Sequence, residues 1–186
     1  MEPAGVIMAL KRTSEVITIS DRSDNGAAAA FAVRAIDLQL NPLDQEVFVV
    51  TGVKIDFMSY PPALALPLAG SFNFANEEVA LSTTRPTSMP DLGDSNVLAT
   101  ASRFARYYIN AAGECLQYDL AENGPIDTPD SNLDYIGIVA TSDIFVSIDA
   151  FNSSLVTDAA IRIYGYRAKA DAATYAALVQ SEVLSS

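Results

Sequence analysis

Residues 46–60 read EVFVVTGVKIDFMSY. β-branched and aromatic side chains crowd this run, and such residues suit the pleated surface of a strand. Asn41-Pro42 marks a turn before it, and Pro61-Pro62 and Pro67 stop any strand after it. Gly52 is where a bulge would sit.

Outward from this run the same pattern recurs. SEVITIS (14–20) puts Val16, Thr18 and Ser20 on one face and Ile17 and Ile19 on the other. AAAFAVRAIDLQL (28–40) and GSFNFANEEVALSTT (70–84) also alternate. SRFARYYIN (102–110) and ECLQYDLAE (114–122) read as a strand pair around Ala111–Gly113. LDYIGIVAT (133–141), DIFVSIDAF (143–151) and AAIRIYGYR (159–167) complete the set. TRPTSMPDLGDSN (84–96) and NGPIDTPDSN (123–132) are turn-rich loops. No stretch before residue 170 patterns as a long helix, so there is no crossover for a parallel sheet.

Strands of this number, with long loops, in one chain of 186 residues predict an all-β fold. The expected fold is an eight-stranded antiparallel jelly-roll sandwich with a short C-terminal helix. An immunoglobulin-like sandwich usually needs only about 100 residues. The whole chain, 1–186, reads as one domain, with residues 1–13 as an N-terminal arm and 171–184 as the helix. Asp171 is a fair N-cap, and Tyr175, Val179 and Val183 follow at i, i+4 and i+8, with Ala172 and Ala176 on the same stripe. A helix of about 12 residues is marginal alone in water, so the stripe must be buried on its own sandwich or on a neighbour. The arm adds Val6, Ile7, Met8 and Leu10 without a strand partner. These four, with Tyr175, Val179 and Val183, are the expected inter-subunit contacts.

Composition excludes more chemistry than it offers. The chain has no histidine, which removes Ser-His-Asp and Cys-His catalysis and His-based metal sites. The net charge of −12 opposes contact with phosphate backbones, so no direct sequence-specific nucleic-acid binding is expected. Only 18% of residues are charged, which leaves surface for other protein to cover. One cysteine, Cys115, permits no intrachain disulfide and reads as a small core residue. The apolar run near the N-terminus is too short for a signal peptide, which fits synthesis in a host cytoplasm.

DRSDNG (21–26) resembles the start of a calcium loop, with Asp21, Ser23 and Asn25 at positions 1, 3 and 5, but Ala32 stands where the bidentate Glu belongs. A polar hairpin turn explains the same residues, so no metal, cofactor or catalytic residue is assigned. Asp127, Asp130 and Asp134 read as a solvated acidic loop. Tyr107, Tyr108, Tyr164 and Tyr166 could stack on sugars, though Tyr pairs on strands more often serve a core and an interface. Arg103 and Arg106, and Arg162, Arg167 and Lys169, read as ion-pair partners for the surplus acids.

The strand-rich plan, the low charge and the ending DYIGIVAT (134–141) with IRIYGYRAKAD (161–171) resemble small major capsid proteins of tailless icosahedral viruses of prokaryotes. The resemblance covers roughly residues 14–169 and is one of pattern. It implies a virion shell subunit, with copies of itself and other shell proteins as partners, often over an internal membrane, and no enzyme activity. No functional residue carries over, and the C-terminal helix lies outside what the family defines. The alternative is a jelly-roll carbohydrate-binding module, with calcium held at Asp21–Asn25.

Overall fold

The computed structural model describes residues 10–59, 68–124 and 134–184. Ten strands, one α-helix and a single 3-10 turn (Pro42–Asp44) occupy them: β1 (Lys11–Arg12), β2 (Ile17–Asp24), β3 (Ala32–Asp37), β4 (Glu46–Phe57), β5 (Ser71–Ser82), β6 (Val97–Ile109), β7 (Cys115–Asn123), β8 (Gly137–Val139), β9 (Asp143–Phe151), β10 (Asp158–Lys169) and α1 (Ala172–Leu184). They form two antiparallel five-stranded sheets. In the first, β1 and β2 lie along one side of β10, and β4 then β8 follow on its other side. The second runs β3-β9-β5-β6-β7. If β1 and β2 count as one broken strand and β7 is set aside, eight strands remain. The first pairs with the last and the second with the last but one, which is the winding of a jelly roll. The eight-stranded jelly roll is therefore present, and β7, the ECLQYDLAE segment expected to pair with β6, lies at the open edge of the second sheet as a further strand.

The residues of β4 show how the sandwich is filled. Phe48 and Val50, then Val53 and Ile55, face the second sheet and meet Val79, Leu81, Ile144 and Ile148. The phase changes because Tyr164 pairs with Gly52 and Gly165 with Val50, leaving Thr51 as the extra residue of a bulge. Gly165 is required there, because a Cβ would lie 2.6 Å from the Phe48 ring and also against the Val49 carbonyl.

Val47 and Val49 point the other way, yet both are fully buried. Helix α1 and Leu10 lie over them: Tyr175, Leu178 and Val179 pack with Ala140, Ala168 and Ala170 on this outer face. Asp171 starts the helix, accepting from the Ala173 and Thr174 amides at 3.0 Å each. The bonds from Thr174 and Ala173 hold its carboxyl below the usual range. Glu182, in the last turn, is also buried and accepts from the Ala140 and Thr141 amides at 2.8 and 3.0 Å.

Two expectations are corrected here. The inward stripe of α1 is Tyr175, Leu178, Val179 and Glu182, while Val183, Ala172 and Ala176 are exposed. LDYIGIVAT, expected as a full core strand, pairs only at Gly137–Val139. The amides that would extend it, at Ala140 and Thr141, are taken by Glu182.

One charged pair lies inside the sandwich. Glu77 of β5 and Arg103 of β6 are 0% and 3% exposed, and Arg103 donates to Glu77 Oε2 at 3.0 and 2.5 Å. Arg103 also reaches the Ser59 carbonyl and hydroxyl at 3.1 and 2.8 Å and lies 4.8 Å from the centre of the Phe57 ring. The pair thus ties the inner face of the second sheet to the end of β4. Glu77 Oε1 has no hydrogen-bond partner among the described residues.

Removing Glu77 leaves the buried Arg103 with only the half-exposed Glu122, 3.5 Å away, as a carboxylate partner, and removing one member of a buried pair is strongly destabilising. Glu77→Leu alone should cost about 3–5 kcal/mol of unfolding free energy. Glu77→Leu with Arg103→Leu should recover most of that loss in urea denaturation. A double variant as unstable as the single one would contradict the assignment. Glu182→Ala strips one buried and one part-buried amide of their acceptor and should cost about 2–3 kcal/mol in the same measurement, and Glu182→Gln distinctly less. Equal stability of Glu182→Ala and the parent chain would show that the carboxylate does not dock the helix.

Candidate assembly surface

On the outer face of the second sheet the rows beyond Glu78 are buried, at Ala80, Ser82 and Ser147, but from Phe72 to Glu78 the face has no such cover among the described residues. Alternation on β5 turns Phe72, Phe74, Asn76 and Glu78 outward, and the register sets them beside Tyr108, Arg106, Phe104 and Ser102 of β6. On the other side β9 adds Phe151 beside Asn76 and Asp149 beside Glu78. The rings form a ladder. Phe74 stacks on Phe104 at 5.8 Å and on Phe151 at 5.5 Å, and Phe72 meets Tyr108 at 4.9 Å between centroids. Arg106 lies over the Phe72 ring at 4.2 Å, which shields one charge with one quadrupole. Phe72, Phe74, Phe104 and Phe151 remain 40–59% exposed. Four large rings side by side are an unusual surface for water to face.

Charge is uneven along this face. Arg106 stands in the Phe74 row with Asp119 of β7 as its cross-strand neighbour, and makes no ion pair within 4 Å with any other described residue. Two residues further on comes the Asn76 row, and two beyond that Glu78 and Asp149. Asp91 and Leu92 of the following loop line one hollow with Glu78 and Ser102.

At the edge, β7 is exposed along its length. Tyr118 packs on Tyr107 at 5.0 Å, and burial, with Tyr118 and Cys115 beside it, raises the Tyr107 hydroxyl above its ordinary range. Cys115, expected in the core, is exposed here. The strand is an addition at the rim of the sheet, so neither of its faces reaches the sandwich interior.

The other residues singled out in the sequence fall as follows. Leu10, Tyr175 and Val179 lie on the outer face of the first sheet of their own chain, and Val183 projects outward; Val6, Ile7 and Met8 lie outside the described residues. The supposed turn DRSDNG begins as strand, since Asp21 to Asp24 continue β2. Ser23 donates to Asp21 at 3.1 Å, and Asp21 pairs with Arg34 at 3.3 Å. Asn25 is buried and serves the main chain: its carbonyl accepts from the Thr157 amide and its amino group donates to the Ala30 carbonyl, both at 3.0 Å. Among the described residues no three acidic or cysteine side chains gather to hold a metal. Asp127 and Asp130 lie outside the described residues.

Arg103 and Arg106, three apart on a strand, fall on opposite faces. Arg167 pairs with Glu46 at 3.7 Å and Lys169 with Asp44 at 3.9 Å. The aromatic face itself was missed in the sequence. Its signal was FNF (72–74) in phase with F (104), which alternation alone could have placed on either side of the sheet.

No protein-family model matches the chain, and no curated protein matches it in sequence. Among solved structures it is similar to VP1 of the Trichodysplasia spinulosa-associated polyomavirus, with 10% identity, covering 87% of this chain and 98% of that one, at a TM-score of 0.42. A likeness this shallow passes neither activity nor partner from that protein to this one.

Proposed function

We propose that this chain is a non-catalytic structural subunit: one jelly-roll domain that assembles with copies of itself, as a capsid subunit does in a virion shell. The observation that carries the reading is the ladder of Phe72, Phe74, Phe104 and Phe151 on the outer face of the second sheet. Covering such rings is favourable by about 25 cal/mol per Å² of apolar surface removed from water. A chain whose other apolar outer face is already closed by its own helix gains most by covering this one. The net charge of −12 keeps copies soluble until specific surfaces meet, and sets the subunit against direct contact with nucleic acid. Other shell proteins, and a membrane beneath the shell, are further partners that such a role would accommodate.

The carbohydrate-binding alternative would use the same rings as a sugar platform. Sugar recognition also needs free polar groups beside them. Asn76 donates to Glu78 at 2.5 Å and Asn152 to the Phe74 carbonyl at 2.9 Å, so both amides already serve the chain itself. Two amides beside the rings are thus engaged, which favours protein over sugar on this face, while Arg106 is the polar group that a sugar would use.

Size-exclusion chromatography with light scattering tests the reading. The full chain should form species far above 19.8 kDa. Phe74→Ser with Phe104→Ser should abolish them while the β-sheet circular dichroism persists. A chain that stays at 19.8 kDa at every concentration overturns the proposal, and retention of that monomer on a polysaccharide column would establish the alternative.

A further inference from the structure

We infer that the aromatic face is closed by the same face of a second copy, packed with its strands reversed about a two-fold axis that crosses the strands at the Asn76 row. The inference rests on the assembly reading and adds to it the partner and its orientation.

The area is of the right order. Four Phe rings about half exposed present about 400 Å² of apolar surface, since each can bury about 150–250 Å². A standard interface takes about 800 Å² per partner. Tyr108, Arg106, Leu92 and the polar side chains around the rings extend the patch into that range. Two like faces of twisted sheets pack with their side chains interleaved.

Charge selects the orientation. The patch runs from Arg106 in the Phe74 row, through Phe104 and Phe151 in the Asn76 row, to Glu78 and Asp149. Neighbouring rows on this face lie about 7 Å apart, two residues of strand rise. An axis across the strands at the Asn76 row exchanges the two outer rows. Phe104 and Phe151 then face their own counterparts, Phe74 lies over the partner's acidic row, the Phe72 row falls at the rim of the contact, and Arg106 of each copy faces the acidic row of the other, with Glu78 and Asp91 within reach of its long side chain. The other two-fold, along the strands, would set Glu78 against Glu78 with the Asp149 carboxylates close by, and would leave Arg106 only the neighbouring Asp119 of its own chain. Like charges face to face at a covered surface are strongly unfavourable. An isologous contact of the first kind satisfies both ends with one surface.

Sedimentation velocity of the full chain over a range of concentrations tests the orientation. Arg106→Glu should weaken association by about tenfold or more, and so should Glu78→Lys with Asp91→Lys. All three substitutions together should restore association to within about threefold of the parent chain, because the charges are then exchanged rather than opposed. Circular dichroism on each variant separates loss of contact from loss of fold. If the parent chain associates and Arg106→Glu leaves that association unchanged, or if the triple variant is weaker than either parent variant, the orientation is wrong and the assembly reading stands. If the parent chain does not associate at all, both fall.

Discussion

Val47, Phe48, Val49 and Val50 are consecutive and all are buried, which requires apolar cover on both faces of one strand. The inner cover is the second sheet. The outer cover comes from the chain ends, because β10 lies beside β4 and leads directly into α1, while β1 brings Leu10 alongside. Several local features follow from this demand. The bulge at Thr51 confines the two-sided burial to the first half of β4 and returns the second half to alternation, with Lys54 and Asp56 outward. Gly165 leaves room for the bulge to press on β10. Glu182 fastens the far end of the helix to the main chain after β8, and β8 is short as a result.

The two sheets are therefore unequal. The first has its outer apolar half sealed within the chain. The second keeps four phenylalanine rings outward, and its interior end is held by a charged pair instead of by aliphatic packing. A buried ion pair is a poor source of net stability but a strict one in geometry, since Arg103 must meet Glu77, Ser59 and Phe57 together. It fixes how β5 and β6 sit on the end of β4, and so where the outward rings of those strands stand.

Most of the plan was legible because alternation with a period of two reports which residues share a face. EVFVVTGVKIDF, DIFVSIDAF and AAIRIYGYR are core strands for the reason their composition suggests. What was not legible depended on tertiary partners. Alternation cannot say which face of a sheet is the inner one, so Phe72 and Phe74 carried no outward signal. The helix stripe was read from apolar residues alone, which left out Glu182, a carboxylate that packs inward only because two unpaired amides await it. A small apolar residue such as Cys115 suits a core, but β7 is a rim strand with no interior face. The candidate metal residues Asp21, Ser23 and Asn25 have turn chemistry in common with ligands. Only the contacts of Asn25 with Thr157 and Ala30 distinguish its role.

The central claim is that the chain closes one outer sheet face by itself and leaves the other to a copy. Hydroxyl-radical footprinting of the associated species, read at individual phenylalanines, tests it directly. Phe74, Phe104 and Phe151 should be protected nearly as well as the core ring Phe48, Phe72 at the rim less so, and all four should become more reactive on dilution to the monomer while Phe48 stays protected. Equal, high reactivity of the four rings in the associated and monomeric species would contradict the account.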